Sequence, residues 1–170
     1  METGYDKFFD QVAEEFAETA DAAQIPEGTW VGRVEFAKIE PMTFKDGREA
    51  RRFTFGVRLT GENMDGHGIA WVSHMVAPLS SDASEGIKTA NRISMSQLKS
   101  AFRATGLATA DELKDRDTLA NCASNIQAAV GAYVKVRVKY GKLDDRGYVR
   151  NNSSILDAAS DPHTTDNVPF

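Results

Sequence analysis

Between Tyr133 and Lys139 the chain alternates without a break: Val134, Val136 and Val138 fall on one side of an extended backbone, Lys135, Arg137 and Lys139 on the other. Strand side chains point in turn to opposite faces, so this run can only be a strand with one apolar face in a core and one cationic face in water. The three bases then stand about 6–7 Å apart in a row, close to the phosphate spacing of an extended nucleic-acid strand. Arg51 to Thr60 repeats the device, with Phe53, Phe55, Val57 and Leu59 facing in and Arg52, Thr54, Gly56, Arg58 and Thr60 facing out. A solvated antiparallel sheet needs polar residues outside, but it does not need charges of nearly one sign.

The charge pattern along the chain points the same way. The 170 residues carry a formal charge of −5, yet residues 1–28 hold eight acids against Lys7, and residues 157–170 hold three acids and no base. What remains, residues 29–156, has nineteen bases and fourteen acids. A basic centre between anionic ends is the balance expected of a nucleic-acid surface flanked by segments that compete for it or recruit partners.

Around these strands the rest of the order is read from periodicity. Residues 5–23 place Tyr5, Phe8, Phe9, Val12, Phe16 and Ala20 at helical spacing, with Asp10, Glu14, Glu15, Glu18 and Asp21 mostly opposite. This acidic amphipathic helix is expected to pack its Phe stripe on the main domain or on a second copy as a homodimer, or to lie near the basic face and screen it. Ile25-Pro26-Glu27-Gly28 breaks it. Strands are predicted at Trp30–Ile39, Arg51–Thr60, Ile69–Val76, Ala132–Tyr140 and Tyr148–Leu156, with turns at Lys45-Asp46-Gly47-Arg48, Asn63-Met64-Asp65-Gly66 and Asp144-Asp145-Arg146-Gly147. Residues 78–92 read as a polar loop. Ser94 with Gln97 reads as a capping box opening a helix that Gly106 closes, and Thr109 with Glu112 reads as a second box.

Three strands, a helical segment and two more strands is the order of a five-stranded Greek-key barrel of the OB type, and a small sheet or sandwich with an inserted helix reads the same way. The expected organisation is an acidic helix over 1–24, a mainly β, OB-type domain over 25–156, and a flexible acidic tail over 157–170. On that fold the ligand site is the face of the central strands and the loops after the first and fourth. Candidate phosphate contacts are Arg52, Arg58, Lys135, Arg137 and Lys139 on strands, with Lys45, Arg48, Arg146 and Arg150 in or beside loops. Candidate stacking platforms are Phe44, Tyr133, Tyr148 and Trp71, the last of which could equally be core. Alternation assigns Phe53, Phe55 and Trp30 to the core.

Catalytic constellations are not evident. There is no Gly-rich phosphate loop with a lysine, and Gly66-His67-Gly68 reads as a turn. Asp144 and Asp145 are ordinary turn formers, and His67 and His74, seven residues apart, fall on opposite faces of a regular strand. The expectation is a binding protein, not an enzyme, without metal or cofactor. Cys122, the single cysteine, excludes an internal disulfide and reads as a buried filler. No apolar run is long enough for a membrane helix, and no basic-then-apolar leader is evident, so a cytoplasmic protein with no membrane partner is expected.

Two resemblances add to this reading. Asp166-Asn167-Val168-Pro169-Phe170 resembles the C-terminal interaction tip of bacterial single-stranded DNA-binding proteins, although the usual run of several Asp is absent. That likeness implies capture of the Phe170 ring and carboxylate by an apolar, basic pocket on replication or recombination proteins of host or phage. Pro26-Glu27-Gly28-Thr29-Trp30 opening a strand, the Lys45-Asp46-Gly47 turn, a strand ending near Gly61, a Leu98-Lys99 helix ending in Thr105-Gly106, and Val130-Gly131 before the Val-Lys-Val-Arg-Val run resemble a family of phage-encoded single-stranded DNA-binding proteins. Covering about residues 25–156, this resemblance implies an OB fold, sequence-tolerant binding of single strands and a host bacterial cytoplasm. Two other functions fit the residues: an adaptor that modulates a nucleic-acid enzyme without touching DNA, and an OB domain for single-stranded RNA, which the 2′-hydroxyl would distinguish.

Overall fold

Residues 4–18, 25–60, 68–143, 145 and 149–161 are described by the structure, a computed structural model, with the side chains of residues 4–6, 143, 149 and 150 left aside. Among them the chain runs α1 (Gly4–Glu18), β1 (Gly28–Thr43), β2 (Glu49–Thr60), β3 (Ile69–Val76), α2 (Glu85–Ala104), α3 (Thr118–Ser124), β4 (Tyr133–Val138), β5 (Tyr140–Leu143), β6 (Val149–Asn151) and β7 (Ser154–Ala158). Short 3-10 turns at Glu112–Lys114 and Ile126–Ala129 flank α3. The fold is mainly β. Five antiparallel strands form one sheet in the order β3-β2-β1-β4-β7, and β5 and β6 form a separate two-stranded ribbon.

β1 is longer than its apolar run because it serves two partners. Its first half, Gly28 to Arg33, pairs with β4, while Val31 to Thr43 pairs with β2. The shared stretch is crowded: a Cβ on Gly32 would stand 2.5 Å from the Val57 side chain and 2.8 Å from the Arg58 carbonyl oxygen. Only a residue without a side chain lets β2 lie this close.

The inward faces follow the alternation. Val34 and Ala37, Phe53, Phe55 and Val57, Ala70 and Val72, and Val134, Val136 and Val138 are buried together with Leu98, Ala101 and Phe102 of α2 and Ile155 of β7. Phe53 meets Phe102 edge to face at 5.6 Å between centroids, which ties the helix to the middle of the sheet. α2 also spans the gap between the sheet's two edges, packing on both β3 and β7. No ladder joins β3 to β7 among the described residues; β3 is tied to β6, the strand just before β7, where the Asn151 side-chain amide donates to the Trp71 carbonyl at 3.0 Å.

Local rules succeed and fail at identifiable places. The reciprocal box forms at Thr109 and Glu112, each backbone N–H donating to the other's side chain, and Gly106 follows the helix end with φ +78°. The first turn closes as expected, with Gly47 at φ +87° donating to the Phe44 carbonyl. The polar stretch 78–92, however, is helical from Glu85, because Ser84 is the cap that accepts from the Ile87 N–H. Ser94 is therefore not a cap: it lies inside α2 and donates its hydroxyl proton to the Met75 carbonyl at 2.7 Å. The last predicted strand is divided, since β6 pairs with β5 and β7 pairs with β4. α1 forms with much of its Phe stripe open to water: Phe8, Phe9 and Val12 are exposed and Phe16 is 82 % exposed, so these residues are not buried in the core of the sheet domain.

His74 faces inward opposite Phe53 and is 4 % exposed, with no hydrogen-bond partner for Nε2 among the described residues. Burial pushes its pKa down to about 4. A base with a folded pKa below its unfolded value contributes stability in full above the unfolded value, near 6.5, and loses it as pH falls toward 4. The protein should therefore be about 2 kcal/mol less stable at pH 5 than at pH 8, measured by urea unfolding, and His74→Leu should abolish that difference. Gly32→Ala should lower stability by about 1–3 kcal/mol through forced separation of β1 and β2, read as a lower urea midpoint.

Candidate nucleic-acid interface

The sheet's other face is open to water. Register places Arg33, Phe36, Lys38 and Glu40 of β1 on it, with Arg52, Thr54, Gly56 and Arg58 of β2, Ile69, Trp71, Ser73 and Met75 of β3, and Tyr133, Lys135 and Arg137 of β4. Phe36 belongs to this face because of a β-bulge. Val34 pairs with Val57 and Phe36 with the very next residue, Gly56, so Glu35 is an extra residue. Strict alternation puts Phe36 in the core beside Val34; the bulge turns it outward. Sequence reasoning missed this residue, and a one-residue slip in period-two patterning was the only signal of it.

Phe36 and Trp71 meet across Gly56. Their rings stand edge to face at 5.6 Å, and the two side chains are 39 % and 46 % exposed. The space between their strands exists only because position 56 has no side chain: a Cβ there would lie 2.9 Å from the Trp71 ring, 3.1 Å from Ile69 and 3.1 Å from Phe36. Two large apolar rings left in water on a sheet face, seated over a glycine and set at 79° to one another, form an exposed aromatic platform at its centre. Trp71 is thus on the solvent side, not in the core. Lys38 Nζ lies 5.4 Å from the centroid of the Phe36 ring.

The charges around the platform are of two kinds. Arg58 Nε donates to Glu35 Oε1 at 2.7 Å, and Arg52 Nη2 donates to Glu40 Oε2 at 2.7 Å; Glu40 is also paired with Lys38. The hydrogen bond from Arg58 holds the Glu35 carboxyl below its ordinary range, and those from Lys38 and Arg52 do the same for Glu40. These acids stay ionised and hold Arg52 and Arg58 to the sheet. Lys135, Arg137 and Lys139 are exposed, and no carboxylate lies within salt-bridge distance of them among the described residues. Lys135 is opposite Asp157 of β7 in the ladder, and Arg137 is opposite Ser154. Arg33, also exposed, stands between Arg58 and half-buried Tyr133. From β3 to β4 the face is three interstrand steps wide, about 14 Å.

In the loop after β1, the Arg48 guanidinium sits 5.0 Å from the centroid of the Phe44 ring while its Nε donates to Asp46 Oδ2 at 2.8 Å. Lys45 beside them is exposed. Phe44 and Arg48 border the same cleft as Ser73 and Met75, so this loop adjoins the β3 edge of the open face. Arg146, Tyr148 and the tip Asp166, Asn167, Val168, Pro169 and Phe170 lie outside the described residues, as does the side chain of Arg150. Among the described residues no helix is long and apolar enough to cross a membrane, and no three of His, Cys, Asp and Glu gather as metal donors. Cys122 is buried, and burial pushes its thiol pKa up.

In this geometry Gly56→Val should displace Trp71 from Phe36. In a Trp30→Phe background the emission of Trp71 is expected to shift, and an unchanged spectrum would show that the platform does not depend on the glycine.

No family model matches this chain, and no curated protein matches it.

Proposed function

We propose that the protein binds single-stranded DNA on the open sheet face without strong dependence on sequence, and that it acts by binding alone. The observation that carries this reading is the exposed Phe36–Trp71 pair over Gly56, set beside Lys135 and Arg137, exposed cations with no salt bridge among the described residues. Every base has a π-face, so an aromatic platform stacks unpaired bases, while duplex DNA keeps its bases out of reach. The flanking cations neutralise phosphates and release condensed counterions. The strand order β3-β2-β1-β4-β7 supports an OB barrel that is open between β3 and β7, in which Phe44, Lys45 and Arg48 belong to the first ligand-binding loop. Within this proposal Arg52 and Arg58, tethered to Glu40 and Glu35, shape the face more than they grip phosphates, and Arg33 joins the phosphate contacts. The acidic-apolar segment Asp166 to Phe170 would bring partner proteins of replication or recombination to the coated strand, as the tip's resemblance to bacterial single-stranded DNA-binding proteins suggests.

The test is fluorescence anisotropy of a labelled thirty-base oligo-dT against a duplex of the same length over a series of salt concentrations. With about five phosphates neutralised, the log of affinity should fall against the log of salt with a slope of about −3.5, and the double variant Lys135→Ala, Arg137→Ala should flatten it by about 1.4. Trp71→Ala should weaken oligo-dT binding by about 1–3 kcal/mol at every salt concentration, with the slope unchanged. Absence of oligo-dT binding at low salt would refute the proposal, and equal affinity for the duplex would refute its single-strand character.

A further inference from the structure

Beyond the platform, the open face leads to a cleft of about 750 Å³ bounded by β3, α2, the loop after β1 and the connection from β6 to β7. Its volume is in the range of small-molecule sites. One wall is apolar, with Met75 and Ile87 both partly in water. The opposite chemistry is supplied by side-chain amides: Asn91 and Gln97 project from α2 and Asn152 from the β6–β7 connection, and the amide of none of the three is engaged in a hydrogen bond among the described residues. The neighbouring polar groups are already occupied. Asn151 donates to Trp71 and accepts from the Ser153 N–H, Ser94 donates to Met75, and Ser73 is bonded to Thr54. His74 also lines the cleft, more than nine-tenths buried, with no partner for Nε2 among the described residues. Also lining it, the Arg48 guanidinium lies against the Phe44 ring.

We propose that this cleft is a base-reading pocket, taking one nucleobase of the bound strand and hydrogen-bonding its edge through Asn91, Gln97 and Asn152. A side-chain amide carries a donor and an acceptor on one plane, which matches the paired donor and acceptor on the edge of an unpaired base. Phe44 supplies a ring, against which the Arg48 guanidinium is held by its bond to Asp46. The inference rests on the single-strand reading above and adds to it a limited preference among bases, confined to one nucleotide of the bound stretch.

Anisotropy titrations with thirty-base dT, dC and dA strands, and with an abasic deoxyribose-phosphate strand of the same length, test it. The full chain is expected to bind its best homopolymer about tenfold more tightly than its worst. Gln97→Ala and Asn152→Ala should each compress that ratio to about threefold or less and leave affinity for the abasic strand unchanged. Trp71→Ala should weaken all three homopolymers by a similar factor and preserve their ranking. Equal affinities in the unaltered protein, or a ratio that survives both amide substitutions, would overturn the pocket while leaving the sheet-face reading intact. Failure to bind any homopolymer would remove both.

Discussion

The close approach of β1 to β2 at Gly32 is the constraint on which the other features depend. β1 is the central strand of the five, paired with β4 through its first residues and with β2 from Val31 onward, and through it β2 and β3 on one side are fixed against β4 and β7 on the other. With a side chain at position 32 the two halves could not share a strand at this spacing. Register in a half-buried sheet is all or nothing, since a slip of one residue would exchange the Val-Phe interior for the Lys-Arg exterior. The core and the basic face are therefore two consequences of one alignment.

The exterior is organised by pairing as much as by charge. Were every base on the face free, their mutual repulsion would act on strands less than 5 Å apart. Glu35 and Glu40 remove part of it by holding Arg58, Arg52 and Lys38 close to the sheet around the rings. Such exposed ion pairs contribute little to stability, so their chief effect is on where the guanidinium groups lie. Toward β4, cations without such partners among the described residues remain. The face thus has an ordered, apolar and internally neutralised centre with a cationic margin.

Much of this was legible in the residues, because Val134 to Lys139 and Phe53 to Thr60 alternate without interruption and a period of two has one structural meaning. The first turn and the Thr109–Glu112 box were legible for a similar reason: each is a local motif whose hydrogen bonds close within five residues. Four features were hidden. The start of α2 was masked by Ser84 and Ser94 standing ten residues apart, both suited to cap a helix, and only packing on β3 decides between them. Phe36 was hidden because strand pairing, which no local pattern records, decides that Glu35 is extra. The salt bridges of Arg52 and Arg58 join residues 12 and 23 positions apart and follow from register alone. That the rings of Phe36 and Trp71 share a platform over Gly56 required all three strands to be in place. The five-stranded antiparallel sheet agrees with the expected number of main strands, while the open edges of β3 and β7 and the separate β5–β6 ribbon are details that element order does not specify.

Glu35 also divides β1 into two segments that can differ in length independently. On its N-terminal side the strand is committed to β4 and β2 together; on its C-terminal side it answers to β2 alone. Losing the extra residue would restore a regular ladder without moving any neighbour to the wrong face, whereas removing Val34 would put Glu35 in its buried place and removing Ala37 would invert the remainder of the strand. Within this long strand, position 35 is the place where the chain can gain or lose a residue and still keep its inside and outside distinct.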